Sequence, residues 1–368
     1  MGRIAVAMSG GVDSSAAAAI LRRQGHEVVG LTLQLWDYGD FNSTRGLGRC
    51  CSPADIADAR AVAAQLDFPH YVFDHTEAFQ AEVVEPFLDA YAAGETPSPC
   101  IRCNRRMKFG LLQRLARSLG AESLATGHYA RLSERSGRPL LRKGVDADKD
   151  QSYFLFDVPA GQLRDVRFPI GDLNKDEVRE AARQLGLRVA DKPESYELCF
   201  IPDGDKNAFV ERHRPDASDR PIAIRDVQGR SLGHTKGLHR FTIGQRRGLG
   251  IAASSRLYVL DISAEAESVT VGPPEELESA TLLAERCNWL AIEAPASPLR
   301  VSARIRHRHA EAEAIITPVY EGGYQVDFRQ PQRGIAPGQG VAFYDGDVLL
   351  GGGWITRQQA GGAEAAIT

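Results

Sequence analysis

The chain has 368 residues, enough for two or three domains with cores of their own, and its 43% hydrophobic and 25% charged residues match a soluble globular protein. A formal net charge of −4 excludes indiscriminate binding of polyanions but leaves room for local basic patches, so charge is read by segment. No apolar run approaches membrane-spanning length and the N-terminus enters directly into a strand pattern, so no membrane partner and a cytoplasmic location are expected. In such a reducing compartment the six cysteines are candidates for chemistry or metal binding rather than for structural disulfides.

The first apolar run, residues 4–8, predicts a strand. Ser9 to Ser15 then read Ser-Gly-Gly-Val-Asp-Ser-Ser, and an alanine-rich stretch at 16–21 predicts a helix ending before Gly25. A strand, a Gly-rich turn and a helix N-terminus make an anion site, because glycines let backbone N–H groups approach phosphate oxygens and the helix end adds a positive dipole. The spacing is not that of a Walker A loop, Gly-x-x-x-x-Gly-Lys-Ser/Thr. Further strands are predicted at 28–35, 70–73 and 124–126, and helices at 55–66, 77–93 and 108–119. This alternation implies a mostly parallel sheet covered by helices on both faces, with its ligand at the carboxyl ends of the strands.

Beyond about Pro202 helical periodicity gives way to short alternating segments, such as 222–224, 257–260, 269–271 and 341–344, broken by Gly, Pro, Asp and Asn. These predict small antiparallel β modules. The expected division is a catalytic domain at 1–205, a central β domain at 206–276, a C-terminal β-barrel at 277–357 and a disordered tail at 358–368.

Cys100 and Cys103 form a C-x-x-C in Thr-Pro-Ser-Pro-Cys-Ile-Arg-Cys-Asn, read as a proline-stiffened loop before a basic helix. Arg102, Arg105, Arg106 and Lys108 are expected to surround the thiols and favour the thiolate. A zinc site is the alternative, with Cys50 and Cys51 as further ligands, although no second C-x-x-C is present. Cys199 lies far along the chain in Glu-Leu-Cys-Phe-Ile-Pro, and Cys287, beside Trp289, reads as a packing cysteine. In 301–309, Arg304, Arg306 and Arg308 alternate at strand period, which would align three guanidinium groups on one face. That face is either an RNA-backbone track, extended by Lys236, Arg246 and Arg247, or a solvated edge strand protected by charge.

With these motifs placed, the loop at Ser9–Ser15 resembles that of enzymes which split ATP between its α and β phosphates. The chain as a whole resembles the bacterial tRNA-specific 2-thiouridylases. Ala125-Thr-Gly-His-Tyr-Ala130, Lys149-Asp-Gln-Ser-Tyr-Phe154, Phe241-Thr-Ile-Gly-Gln-Arg-Arg-Gly-Leu249 and Pro331-Gln-Arg-Gly-Ile-Ala-Pro-Gly-Gln339 carry the likeness further. The resemblance implies an α/β adenylating domain of the HUP type followed by two small antiparallel β modules. It implies adenylation of the C2 oxygen of a wobble uridine by ATP, with Mg2+ on the pyrophosphate, followed by sulfur transfer. The sulfur would come from an upstream donor such as a cysteine desulfurase or sulfur-relay protein. Ala7, Met8, Ser9, Gly10, Gly11, Val12, Asp13, Ser14, Leu33 and Gly127 would hold ATP, and Asp13 would help to hold the magnesium. Cys199 would carry a persulfide and Cys103 would be its partner thiol, a disulfide bond being among the implied features. Ser98, Pro99 and Cys100 would face the target base, while His128, Lys149, Asp150, Gln151, Arg306, His307 and Gln339 would contact tRNA.

Many members of the family have aspartate where this chain has Cys100. A third thiol would allow Cys100, Cys103 and Cys199 to hold a [4Fe–4S] cluster with one open iron, so persulfide and cluster chemistry both remain open at this level. Two other functions share parts of the pattern. A small-molecule synthetase or amidotransferase would share the phosphate loop without needing the cysteines, and an inactive RNA-binding relative would not need the loop.

Overall fold

Ile4, Ala5 and Val6 carry apolar side chains to both faces and are buried on both, which is what the inner strand of a parallel sheet requires. In the computed structural model they form β1 (Arg3–Ala7). The structure describes residues 2–36, 52–193, 198–201, 204–252 and 255–357; Cys50, Cys51, Pro202 and the tail at 358–368 lie outside the described residues. β2 (Glu27–Gln34) pairs with β1 on one side, followed outward by β3 (His70–Asp74), and β4 (Ser123–Ala125) pairs on the other, followed by Val166–Arg167. Every pairing in this five-stranded sheet is parallel. Strand order reverses between β1 and β4, which opens a crevice at their carboxyl ends.

Three helices share the core on one face. In α1 (Val12–Arg23), Ala16, Ala17, Ala18 and Ala19 are all buried, so a helix with almost no side-chain bulk lies close to the sheet and to Val178 and Ala182 of helix Lys175–Gln184. Gly25, at φ +83°, takes the left-handed conformation that ends it. α2 (Pro53–Gln65) starts from a capping box in which Ser52 and Asp55 satisfy each other's backbone N–H.

The helix expected at 108–119 begins nine residues earlier. Pro99–Cys103, Asn104–Leu112 and Gln113–Ser118 run on as one helical rod, so Cys100 and Cys103 occupy its first turn rather than a loop before it. Pro99 stands in the first turn, where its missing N–H costs nothing. The middle stretch is wound wide, with i→i+5 bonding, and a Cβ on Gly110 would come 2.9 Å from the carbonyl oxygen of Arg105.

The segment after 202 is not purely β. Lys206–His213 and Pro215–Asp219 are helical, held by the Asp205 cap and by buried Phe209 and Val210. A four-stranded sheet follows, in the order Tyr258–Ser263, Ser268–Gly272, Pro221–Asp226, Ser231–Lys236, and its central pairing is parallel where an antiparallel module was expected. Strands Glu278–Trp289, Gly323–Arg333, Ala312–Tyr320, Leu299–Arg304, Gly340–Asp345 and Val348–Thr356 pair in that order, and the last closes back on the first, which removes the sheet edges.

A hairpin that the sequence reading missed, Ala130–Arg135 with Arg138–Lys143, attaches to this barrel through Arg142 and Val348. Its turn is Ser136-Gly137, both at positive φ. The barrel and the parallel-sheet region share one core, in which Leu290, Ala342, Tyr344 and Leu349 pack with Phe156 and Ile101. Asn288 Nδ2 spans the junction, donating to the carbonyls of Phe156 (2.7 Å) and Val158 (2.9 Å). Replacing Asn288 by Ala leaves both carbonyls without this donor and should cost about 1–3 kcal/mol in denaturant unfolding. An unchanged midpoint would show the junction to be held by apolar contact alone.

Candidate functional site: a lysine-lined phosphate pocket beside a cysteine-bearing helix

The crevice between β1 and β4 holds a pocket of about 340 Å³. Ala7, Met8, Ser9, Gly11, Val12, Asp13, Ser14, Leu33 and Gly127 line it. Gly10 stands behind the lining at φ +73°, where a Cβ would lie 2.2 Å from the carbonyl oxygen of Asp55, so only glycine fits. Gly127 is equally restricted, since its Cβ would meet the backbone of Asp13 and Ser14 at 2.7 Å. Ser14 Oγ accepts from the Ser9 N–H (3.2 Å) and Ser15 Oγ donates to the Gly11 carbonyl (2.8 Å), which ties the loop onto the first turn of α1.

Lys175 and Lys192, which the sequence did not single out, complete this pocket. Lys175 Nζ lies 2.8 and 3.0 Å from the two carboxylate oxygens of Asp13, and Tyr129 OH donates to the same group at 2.8 Å. Lys192 Nζ donates to the Gly10 carbonyl (3.0 Å), Asp55 (2.6 Å) and Asp58 (2.7 Å). Burial opposes the Lys192 charge, yet the two carboxylates outweigh it and raise its pKa. Lys108 lines the same pocket, although its sequence position pointed to the thiols. Neither Lys175 nor Lys192 stands next to a recognisable motif; the capping box at Asn174 and Glu177 is the nearest sequence signal for the first.

His128, Lys149 and Gln151 also face this pocket. His128 is buried between the rings of Phe109 (5.8 Å) and Phe168 (5.9 Å), and its Nδ1 is 2.6 Å from Thr126 Oγ1. Burial, and secondarily the Lys108 charge, hold its pKa well below the usual histidine range, so it is neutral at pH 7. Gln151 Oε1 accepts from the Tyr129 N–H at 3.0 Å. Asp150 turns inward instead: its carboxylate accepts from Gly144 N, Ser152 N, Ser152 Oγ and Arg304.

The strand expected at 301–309 ends at Arg304, which bonds Asp150 and Glu311 inside the protein. Arg306 and Arg308 are exposed in the turn beyond it, so the three guanidinium groups do not share one strand face. His307 Nε2 donates to the Asp150 carbonyl (3.1 Å), and the ring packs on Phe154 at 4.4 Å. Gln339 Nε2 donates to the Thr96 carbonyl at 2.7 Å, so the barrel grips the chain just before Ser98, Pro99 and Cys100.

Cys100 is exposed, whereas Cys103 and Cys199 are half-buried and pack against the same core. Phe200 fastens Cys199 there through Phe87 (5.1 Å), Phe209 (5.6 Å) and Phe79 (5.7 Å). Arg102 and Arg106 reach Glu82, and Arg105 pairs with buried Asp157 at 2.7 Å. These three arginines fasten the helix to its neighbours. Among the described residues no group of three or more His, Cys, Asp or Glu is gathered to hold a metal ion. Cys287 is a packing thiol, pushed up to about 12 by burial and the Glu285 charge. No described helix is long and apolar enough to cross a membrane.

A parallel sheet with a Gly-rich loop at its order reversal, followed by two β modules, defines a HUP-type domain with a β-rich C-terminal half. Family profiles match in the same arrangement: a tRNA methyl transferase HUP domain at residues 2–203, a tRNA methyl transferase PRC-barrel domain at 207–273 and an aminomethyltransferase beta-barrel domain at 279–355. The chain is 49% identical to a tRNA-specific 2-thiouridylase MnmA of Magnetococcus marinus, over 96% of this chain and 98% of that one. It is 50% identical to the protein of the same name from Geobacter metallireducens, over 96% of each. The chain belongs to the tRNA-specific 2-thiouridylase MnmA family.

Removing the Lys192 ammonium leaves two largely buried carboxylates facing each other. Lys192→Met should cost roughly 3 kcal/mol of stability at pH 7. Because the folded pKa is raised, the lysine's contribution is complete below the ordinary lysine value. The part of the gap that comes from the lysine charge should therefore persist through neutral pH and be lost above about pH 10.4. A gap that is constant with pH in thermal unfolding would locate the effect elsewhere.

Proposed function

We propose that this protein uses ATP to adenylate the C2 oxygen of a wobble uridine in tRNA and then replaces that oxygen with sulfur at a cysteine pair. One observation carries the reading: the phosphate pocket and Cys100–Cys103 are served by a single helical rod, since Lys108 of that rod lines the pocket. A carbonyl oxygen is a poor leaving group, and joining it to AMP makes it a good one. ATP would sit with its phosphates on Ser9–Ser14 and the N-terminus of α1, and its base toward Leu31, Leu33 and Leu35. Mg2+ requires few protein carboxylates when phosphates supply the rest, and Asp13 is the pocket carboxylate suited to hold it and neutralise pyrophosphate.

Sulfur would arrive as a persulfide on Cys199, loaded by an upstream donor protein. Its terminal sulfur attacks C2, the C2–O bond breaks, and AMP leaves with the bonding electrons. The Cys103 thiolate then attacks the Cys199 sulfur. A disulfide forms between the two cysteines, and the base keeps the terminal sulfur as its thiocarbonyl. An external thiol must reduce that disulfide before the next turnover. Ser98, Pro99 and Cys100 would face a base drawn out of the anticodon stack. His128, Lys149 and Gln151 would meet RNA at the pocket, Arg306 and His307 at the barrel turn, while Asp150 and Gln339 would act by holding the segments beside it.

Asp13→Asn should abolish 2-thiouridine formation from ATP, a sulfur donor and unmodified tRNA while leaving tRNA affinity unchanged. A normal rate would refute the ATP assignment. Cys103→Ser and Cys199→Ser should each be inactive and Cys100→Ser active, in an anaerobic preparation free of iron; about four irons per chain and an inactive Cys100→Ser would establish a cluster instead. Arg306→Ala should lower the slope of log tRNA affinity against log salt by about one without altering which tRNA is chosen. An unchanged slope would return Arg306 to the solvated surface.

A further inference from the structure

The lysines around the pocket are not equivalent. Lys175 is held by Asp13 and Lys192 by Asp55 and Asp58. Lys108 has no carboxylate within ion-pair distance among the described residues; its hydrogen bond is to His128 Nε2, at 3.4 Å. An ammonium can only donate, so Nε2 accepts, and Nδ1–H is left to donate to Thr126 Oγ1 at 2.6 Å. The imidazole is clamped by Phe109 and Phe168 and kept neutral by burial. The arrangement orients a full positive charge toward the pocket without cancelling it, which is what a receptor for an anion requires.

The position along the helix matters as well. Lys108 follows Cys103 by five residues and lies in the wide-wound stretch that begins at Asn104, where residues four and five apart share a face. A group bound at Lys108 therefore lies one turn from the thiol.

We infer that Lys108 is a catalytic residue that binds the α-phosphate of ATP and then the same phosphate in the adenylated uridine. The inference rests on the adenylation reading above. In that step uridine O2 forms a bond to the α-phosphorus, the bond from that phosphorus to the pyrophosphate oxygen breaks, pyrophosphate leaves with the electron pair, and the N3 proton passes to solvent water. Charge gathers on the α-phosphoryl oxygens during this exchange, and again on AMP as it leaves C2. The Lys108 ammonium stabilises both.

The test compares AMP with adenosine, which differ by that one phosphate, by calorimetric titration of the full-length protein. The unaltered protein should prefer AMP. Lys108→Met should lose about ten- to a hundredfold of that preference while binding adenosine as before. Lys108→Arg, which keeps a charged donor, should restore most of it. In single turnover with tRNA, pyrophosphate release by Lys108→Met should slow at saturating ATP. An intact AMP preference in Lys108→Met overturns the inference while leaving the adenylation reading in place. Loss of adenosine binding in both Lys108→Met and Lys108→Gln would make Lys108 a support of the pocket wall and likewise overturn it. Failure of the unaltered protein to bind either ligand would remove the ATP reading and this inference together.

Discussion

The structure depends on assembling positive charge at the carboxyl edge of β1 and β4 without tearing that edge apart. Lys108, Lys149, Lys175 and Lys192 all line one pocket, and like charges so placed repel. Asp13, Asp55 and Asp58 moderate the repulsion. Asp13 stands in the first turn of α1, where a helix favours an anion, and faces Lys175. Lys175 opens its own helix, where the dipole disfavours a cation, so only the tertiary pairing accounts for its place. Asp55 does the same for Lys192, and through Lys192 the chain near residue 192 is tied to the carbonyl of Gly10.

The barrel is joined to this pocket from two directions. Asp150 is a buried carboxylate whose donors come from the end of the hairpin (Gly144), from its own turn (Ser152) and from a barrel strand (Arg304). A buried charge demands such saturation, and meeting the demand places Lys149 and Gln151 on either side of it at the pocket. The second link is the Gln339 amide on Thr96, reinforced by the Thr96 N–H on the Pro337 carbonyl (2.9 Å). The barrel is thereby registered against both the pocket and the start of the cysteine helix.

The parallel sheet and the phosphate loop were legible because each rests on local rules. Apolar runs with turn residues between them give β1 to β4, and the glycine-rich frame gives the loop. The hairpin at 130–143 was not legible, since its strands are largely polar and the core that Ala130 and Leu141 enter is built by residues distant in sequence. The arginine alternation at 304–308 misled for a related reason. Period two described the residues, but the strand ends where Arg304 meets Asp150 inside the protein, a partner 154 residues distant in sequence. Lys175 and Lys192 were invisible because their meaning comes from carboxylates more than a hundred residues away. The C-x-x-C was found but set in a loop, because two prolines read as a break where one of them starts a helix.

That last difference alters the chemistry the site can perform. Thiols on a loop could approach a substrate from many directions, whereas Cys100 and Cys103 in the first turn of a rod are aimed by everything the rod touches. Arg102, Arg105 and Arg106 fasten it to Glu82 and Asp157, and Gln339 holds the chain entering it. Cys199 is set with comparable rigidity, because the next residue, Phe200, sits among Phe79, Phe87 and Phe209. A group held on a packed element keeps its geometry better than one on a free loop. The wide winding from 104 to 112 fits the same demand. It carries Lys108 to the phosphate pocket on the helix that begins with the thiols, and Gly110 at its close approach to the Arg105 carbonyl is the residue that permits it.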